Sequence, residues 1–188
     1  MALQPSISFS ASKVWVVSLV VLFYIRRMYI YYVKEVVRIV DGDTIDVVLD
    51  LGFDIYKKER VRLAGVDTPE KRTRDKEEKA LGIDASRWLD DALTLPEGID
   101  LIITTLKQKQ SGKYGRMLGW LYAGRERVFE ALNQAADPSL NCGWKDQSIN
   151  AQMIDQGYAW EYDGGTKDKD LQELIDIRNH DGTLERWR

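Results

Sequence analysis

VKEVVRIV (Val33–Val40), DGD (Asp41–Asp43) and TIDVVLDL (Thr44–Leu51) decide how this chain folds. The two outer runs are rich in β-branched residues and alternate in polarity, which is the pattern of half-buried strands. The Asp-Gly-Asp between them is turn chemistry, so the three together read as a β-hairpin. Downstream, ERVRLAGV (Glu59–Val66) alternates in the same way and predicts a third strand. Strands this close, joined by short turns, predict an antiparallel meander or a barrel.

Beyond them, Glu77–Leu93 sets Leu81, Ala85, Trp88, Leu89 and Ala92 at helical spacing. Pro96-Glu97-Gly98 breaks the chain, and Ile99–Leu106 and Arg116–Tyr122 read as two more strands around a polar turn. Ser148–Gln156 reads as a short helix stopped by Gly157, and Asp168–Arg178 as a last one. This order predicts an α+β, mainly β fold: a five-stranded OB-fold barrel with about three helices. Residues 124–147 suit neither period well, with Asp137-Pro138 ending a possible helical turn, and are read as an inserted peripheral loop. The expected division is an N-terminal hydrophobic segment over 1–27, an OB-fold domain over 28–166, and a C-terminal helix and tail over 167–188 packing on it.

The N-terminal segment differs in kind from the rest. Val14–Ile25 is twelve residues long with Ser18 as its one polar residue, and Arg26 and Arg27 follow. A membrane-spanning helix needs about 20 apolar residues. Three readings stay open: a signal-peptide core, a short membrane anchor through residues 14–25, and an upstream extension ahead of a start at Met28. The chain is expected in the cytoplasm if translation starts at Met28, and anchored or secreted otherwise.

Composition excludes several chemistries among the 188 residues. With one cysteine, Cys142, no intramolecular disulfide forms. With one histidine, His180, a Cys/His zinc site and histidine-assisted nucleophiles are disfavoured. Acid–base work must rest on carboxylates, lysines, tyrosines or a metal. A net charge of −3 argues mildly against tight nonspecific binding of a polyanion, though not against a local site.

Three short segments are candidates for such a site: Asp41-Gly42-Asp43-Thr44, Arg62 through Glu70 (RLAGVDTPE), and Lys113-Tyr114-Gly115-Arg116. Pro69 forces Thr68 into extended backbone and ends the strand. The Asp67 carboxylate, the Thr68 carbonyl and the Glu70 carboxylate then have a common point to face, with Asp43 arriving from a neighbouring strand end. Hard oxygen donors of this kind suit Ca²⁺ or Mg²⁺. Arg62 and Asp67 lie on opposite faces of an ideal strand, so bringing them together requires a bulge or bend at Ala64-Gly65. Each segment alone has an ordinary reading as a turn, a cap or a surface charge. Their joint occurrence in one order does not.

That order resembles the staphylococcal nuclease (thermonuclease) family from about Val33 to about Tyr162. The family carries an Asp-Gly-Asp-Thr turn, then Arg-x4-Val-Asp-Thr-Pro-Glu, then Lys-Tyr-Gly-Arg. The resemblance implies that Asp43, Asp67 and the Thr68 carbonyl ligate Ca²⁺. It implies that Glu70 orients or deprotonates the attacking water, and that Arg62 and Arg116 hold the phosphate and stabilise its transition state. Lys113 and Tyr114 match positions that contact the nucleotide. Tyr158, Trp160 and Tyr162 fall where the family places aromatics beside it, though not position for position, and they serve equally well as packing residues. The function so implied is a Ca²⁺-dependent nuclease acting on DNA, RNA or both, expected to be a monomer. The alternative is a weak or inactive module of the same fold that binds nucleic acid or a protein.

Overall fold

A fourteen-residue strand, β1 (Met28–Asp41), is shared between two neighbours. Its first part pairs antiparallel with β5 (Leu101–Leu106), Met28 opposite Leu106 and Tyr32 opposite Ile102. From Tyr32 onward it pairs with β2 (Thr44–Asp50), ending with Asp41 opposite Thr44. Register shifts between Val33 and Glu35, Val36 and Arg38, and Ile39 and Asp41 bend the strand enough to serve both partners. β3 (Tyr56–Leu63) continues antiparallel from β2 and lies parallel to β6 (Met117–Ala123). β6 returns antiparallel to β5, and the order β1-β2-β3-β6-β5 closes into a barrel. The computed structural model describes residues 28–106, 117–135, 147–165 and 170–180.

The alternation read from the sequence fills this barrel. Ile45, Val47 and Leu49 of β2, Val61 and Leu63 of β3, Ile103 of β5 and Leu121 of β6 point inward and are buried. Gly119 in β6 is required by that packing. A Cβ there would lie 2.8 Å from Ile103 Cγ2 and 3.1 Å from Val61 Cγ1. Helix α1 (Lys76–Leu93) adds Ala85 and Leu89 to the same core. It starts where Asp75 accepts hydrogen bonds from the Glu77 and Glu78 amides at 2.8 and 3.2 Å, a cap two residues ahead of the predicted start at Glu77.

Four helices are described, where the sequence predicts about three. The extra one corrects the reading of 124–147 as a loop. α2 (Arg125–Ala135) is a three-turn helix whose Val128, Ala131 and Leu132 pack on Ala64, Ile102, Trp120 and Tyr122. The outward faces of β5 and β6 are apolar too, so a second, smaller core forms on that side of the barrel. α3 (Ile149–Asp155) is capped by Ser148, which accepts from the Ala151 amide at 3.1 Å. α4 (Leu171–His180) is anchored by Leu174 and by a buried arginine, Arg178. Arg178 Nε donates to the Gly157 carbonyl at 2.8 Å, and its guanidinium lies 4.3 Å from the Tyr158 ring centroid. Residues 1–27, Cys142 and the remainder of the proposed insertion through 146 lie outside the described residues.

The β2–β3 hairpin ends in a closed turn. The Ile55 amide donates to the Gly52 carbonyl at 3.0 Å, and Leu51 to Ile55 at 2.9 Å. Phe53 and Asp54 at its centre have φ of 53° and 59°, the positive values of a type I′ turn. Left-handed backbone costs an L-residue about 1–2 kcal/mol. Phe53 nonetheless occupies it with its ring 98% exposed.

Candidate functional site: an arginine between two buried carboxylates

The site begins with the turn that bringing Arg62 and Asp67 together requires. β3 ends at Leu63, and Gly65, with φ of +78°, turns the chain back on itself. A two-residue strand, β4 (Val66–Asp67), follows and pairs with β7 (Trp160–Glu161). The Ala64 amide donates to the Gly119 carbonyl at 2.9 Å, and the Tyr162 amide to the Gly65 carbonyl at 2.9 Å. Both flanks of the turn are therefore held by backbone.

This return places Asp67 against Arg62, five residues earlier. Arg62 Nη2 meets Asp67 Oδ1 at 2.9 Å, and Arg62 Nη1 meets Asp43 Oδ2 at 2.6 Å. The side chains are little exposed: 16% for Arg62, 8% for Asp43 and 5% for Asp67. Asp43 Oδ1 also accepts from the Thr44 hydroxyl at 2.8 Å. Its backbone carbonyl accepts from the Leu63 amide at 2.8 Å, fixing the β1–β2 turn to β3. Burial pushes the Asp43 carboxyl above its ordinary pKa, against the opposing pull of Arg62 and the Thr44 bond, with Asp67 adding repulsion.

Thr68 and Pro69, which follow Asp67, are buried, and Glu70 after them is exposed. Close packing sets their place. A Cβ on Gly42 would lie 2.9 Å from Thr68 Oγ1 and 3.0 Å from Ala85 Cβ, so the turn before Asp43 rests directly on Thr68. A Cβ on Gly82 of α1 would lie 2.5 Å from the Pro69 carbonyl oxygen and 2.7 Å from the Lys71 amide. The helix thus lies against bare backbone at the segment carrying Glu70. The Glu70 amide donates to Glu78 Oε1 at 3.3 Å, a second tie to α1.

The structure therefore brings Asp43, Arg62 and Asp67 together, sets Thr68 beside them, and leaves the Glu70 side chain in solvent. Lys113, Tyr114 and Arg116 lie outside the described residues. The aromatics behave differently from one another. Tyr158 is buried and stacked on Trp88, with ring centroids 5.4 Å apart, and the Arg178 guanidinium also lies on it. Trp160 is buried and donates to the Asp170 carbonyl at 3.1 Å. Tyr162 is half-buried beside the turn it braces. Among the described residues, no three His, Cys, Asp or Glu side chains gather closely enough to hold a metal alone. The oxygen atoms that the structure places against Arg62 are those of the Asp43 and Asp67 carboxylates.

Two supporting residues escaped the sequence reading. Asn150, buried on α3, donates to the Ala64 carbonyl at 2.8 Å and the Gly119 carbonyl at 3.1 Å, and accepts from the Leu121 amide at 3.0 Å. It fills the fork where β3 leaves β6 to make the Gly65 turn. The available signal was an amide on the apolar side of a short helix, between Ile149 and Met153. Gly82 is the other, a glycine inside a helix and therefore a candidate for close approach. A polar group outside the site also spans three strands: Asp46 accepts from Arg38 Nε at 2.7 Å and from Arg60 Nε at 2.6 Å. The Arg60 hydrogen bond holds its carboxyl well below the usual range.

These features define a class: five-stranded OB-type barrels whose β3 arginine bridges two acidic residues at neighbouring strand ends. Comparison with known proteins gives the family. Residues 60–180 match the family described as staphylococcal nuclease homologue, and the chain belongs to it. It is 35% identical over 140 residues to a micrococcal nuclease of Shigella flexneri, covering 73% of this chain and 63% of that protein. It is 34% identical over 128 residues to protein ParB of Escherichia coli, covering 68% of this chain and 56% of that protein. A thermonuclease of Staphylococcus hyicus is 31% identical over 98 residues, 52% of this chain and 53% of that protein. The chain thus spans less than two thirds of the length of these relatives.

Proposed function

We propose that this chain is a Ca²⁺-dependent nuclease that hydrolyses phosphodiester bonds of DNA, with RNA as a second candidate substrate. The observation that carries the reading is the Asp43–Arg62–Asp67 bridge. With both acids ionised, one guanidinium faces two buried carboxylates, so the site holds an excess of negative charge in low dielectric. A divalent cation with a preference for hard oxygen relieves that excess, and the donors beside Arg62 fit it. Asp43, Asp67 and the Thr68 carbonyl would hold it, and Ca²⁺ there would supply charge neutralisation to a phosphodiester and lower the pKa of a water.

The rest is the work of this chain's side chains. Arg62 uses one terminal nitrogen for each aspartate, and a guanidinium has five N–H donors. It thus retains donors for a phosphate oxygen while the aspartates fix its plane. Arg116 is the second guanidinium in this proposal, and two forks around one phosphorus oppose the charge that develops as a nucleophile adds. Glu70, exposed and three residues beyond Asp67, takes the proton from the attacking water. Lys113, Tyr114 and Tyr162 are the proposed contacts to the nucleotide. In this reading Tyr158 and Trp160 shape that side from within.

The test is incubation of the full chain with single- and double-stranded DNA and RNA, in Ca²⁺ and in excess EGTA. Cleavage in Ca²⁺ alone is expected, and Glu70→Gln and Arg116→Ala each lose most of it. Undiminished cleavage in EGTA, or wild-type turnover in either variant, sinks the mechanism. Binding of nucleic acid without cleavage in any divalent cation points instead to the inactive module.

A further inference from the structure

The end of the barrel away from the Asp43–Arg62–Asp67 cluster carries an apolar surface that the reaction does not use. Leu51, Phe53, Ile55 and Tyr56 are all exposed on the six residues of the β2–β3 tip. Tyr29 and Ile30 are exposed on the first residues of β1. Register brings the two sets to one end: Tyr32 pairs with Asp50, so the β1 residues before it run alongside the tip. Tyr31 stacks on Tyr29 with ring centroids 6.0 Å apart, and it feels the charge of Lys57. A cluster of large apolar side chains in water is costly unless something covers it. The turn is closed by backbone hydrogen bonds and holds Phe53 in left-handed backbone, so the ring is presented rather than loosely trailing.

The sequence upstream says what covers it. Val14–Ile25, with Arg26 and Arg27 after it, joins the barrel through Met28, at this same end. As a helix, that run of twelve would reach about 18 Å, well short of the roughly 30 Å of a bilayer's hydrocarbon. Such a segment suits the interface, where one weak anchor holds only marginally and a second makes attachment stable. The tip supplies the second, with Lys57 and Lys58 following its apolar residues and with Tyr29 and Tyr56 exposed, rings of the kind that favour the headgroup level. Asp50 and Asp54 share the tip, so apolar contact rather than charge drives the attachment. β2 separates this end from Asp43 by its seven residues, about 20 Å, which leaves the catalytic cluster facing away from the lipid.

We propose that the β2–β3 tip, with Phe53 at its apex, is a membrane-docking element that acts together with the apolar segment 14–25 to seat the barrel on a phospholipid surface. The inference does not depend on nuclease activity. Its test is flotation of the full chain with phosphatidylcholine vesicles, with and without phosphatidylglycerol, compared with Phe53→Ser/Ile55→Ser. Both positions are exposed, so the thermal melt of the variant is expected to match wild type. Wild type is expected to float with both vesicle types and to remain bound in 0.5 M salt, whereas the double variant loses at least about tenfold in partitioning. Equal flotation of the two proteins, or no flotation of wild type, overturns the proposal. Loss of a dimer in light scattering with no change in flotation also overturns it, and assigns the patch to a second copy of the chain.

Discussion

Asn150 holds the Ala64 carbonyl at 2.8 Å, and through it a residue on α3 sets the turn that returns Asp67 to Arg62. The same amide satisfies Gly119 and Leu121, so one side chain closes the gap where two parallel strands part. Neither Ala64 nor Asn150 touches the carboxylates. Their contact is nonetheless part of the site, because the direction of Asp67 follows from where the chain leaves β3.

Asn150→Ala is expected to cost about 2–4 kcal/mol in urea unfolding, since three backbone groups lose a buried partner at once. Asn150→Asp is expected to be worse at neutral pH, because a carboxylate would face two carbonyl oxygens. Its deficit narrows on acidification, where the protonated acid regains one donor. An aspartate variant as stable as wild type at pH 7 contradicts the hydrogen-bond assignment.

Gly82→Ala runs against helix propensity, which favours alanine by about 1 kcal/mol in a helix interior. Here the methyl group would meet the Pro69 carbonyl at 2.5 Å. Net destabilisation of about 1–3 kcal/mol is expected from overpacking, with α1 or the Glu70 segment displaced. A stabilised variant in thermal melts refutes the close approach.

The proposed binding of Ca²⁺ has a readout apart from cleavage. A cation that binds the folded state alone raises stability, by about 2.7 kcal/mol at a hundredfold excess over Kd. Wild type is expected to melt higher in Ca²⁺ than in EGTA. Asp43→Asn is expected to remain folded and to lose that increment. A Ca²⁺-induced shift that survives in Asp43→Asn places the cation elsewhere.

Asp46 gives a pH dependence with a definite sign. Its folded pKa lies below the ordinary value of 3.8, first through the Arg60 hydrogen bond and then through Arg38. Its contribution is therefore complete above the unfolded value and is lost as pH falls toward the folded one. Because the group is solvent-accessible, its worth is about 0.5–1 kcal/mol at low salt. Asp46→Asn should show that deficit near pH 7, less of it below about pH 4, and less in high salt. A deficit that grows with acid is the contrary result.

Much of this architecture is written locally. Ile45, Val47 and Leu49 alternate in the sequence because they alternate across the barrel wall, and the hairpin is readable for that reason. If Arg62 and Asp67 share a site, strand geometry demands a bend at Ala64-Gly65, and Gly65 makes it. Other elements depend on what the rest of the chain presents. Val128, Ala131 and Leu132 form one short stripe behind the charged Arg125-Glu126-Arg127, too brief to distinguish a helix from a loop. The stripe becomes a helix face only against Trp120 and Tyr122. Tyr158 and Trp160 are large aromatics near candidate site residues, and no local pattern distinguishes a ring offered to a ligand from one enclosed by Trp88 and Arg178. Asn150 is harder still, since its partners lie 86 and 31 residues away.

The pairing of Val66 and Asp67 with Glu161 and Trp160 also bears on how the protein is made. Synthesis proceeds from the N-terminus, so Asp43, Arg62 and Asp67 leave the ribosome long before β7 does. Until residues 160–162 follow, the turn bearing Asp67 lacks both its ladder partner and the Tyr162 brace on Gly65. A nascent chain still attached to its message thus carries these residues without the scaffold that unites them. The turn bearing Asp67 is completed only once residues 160–162 have been made.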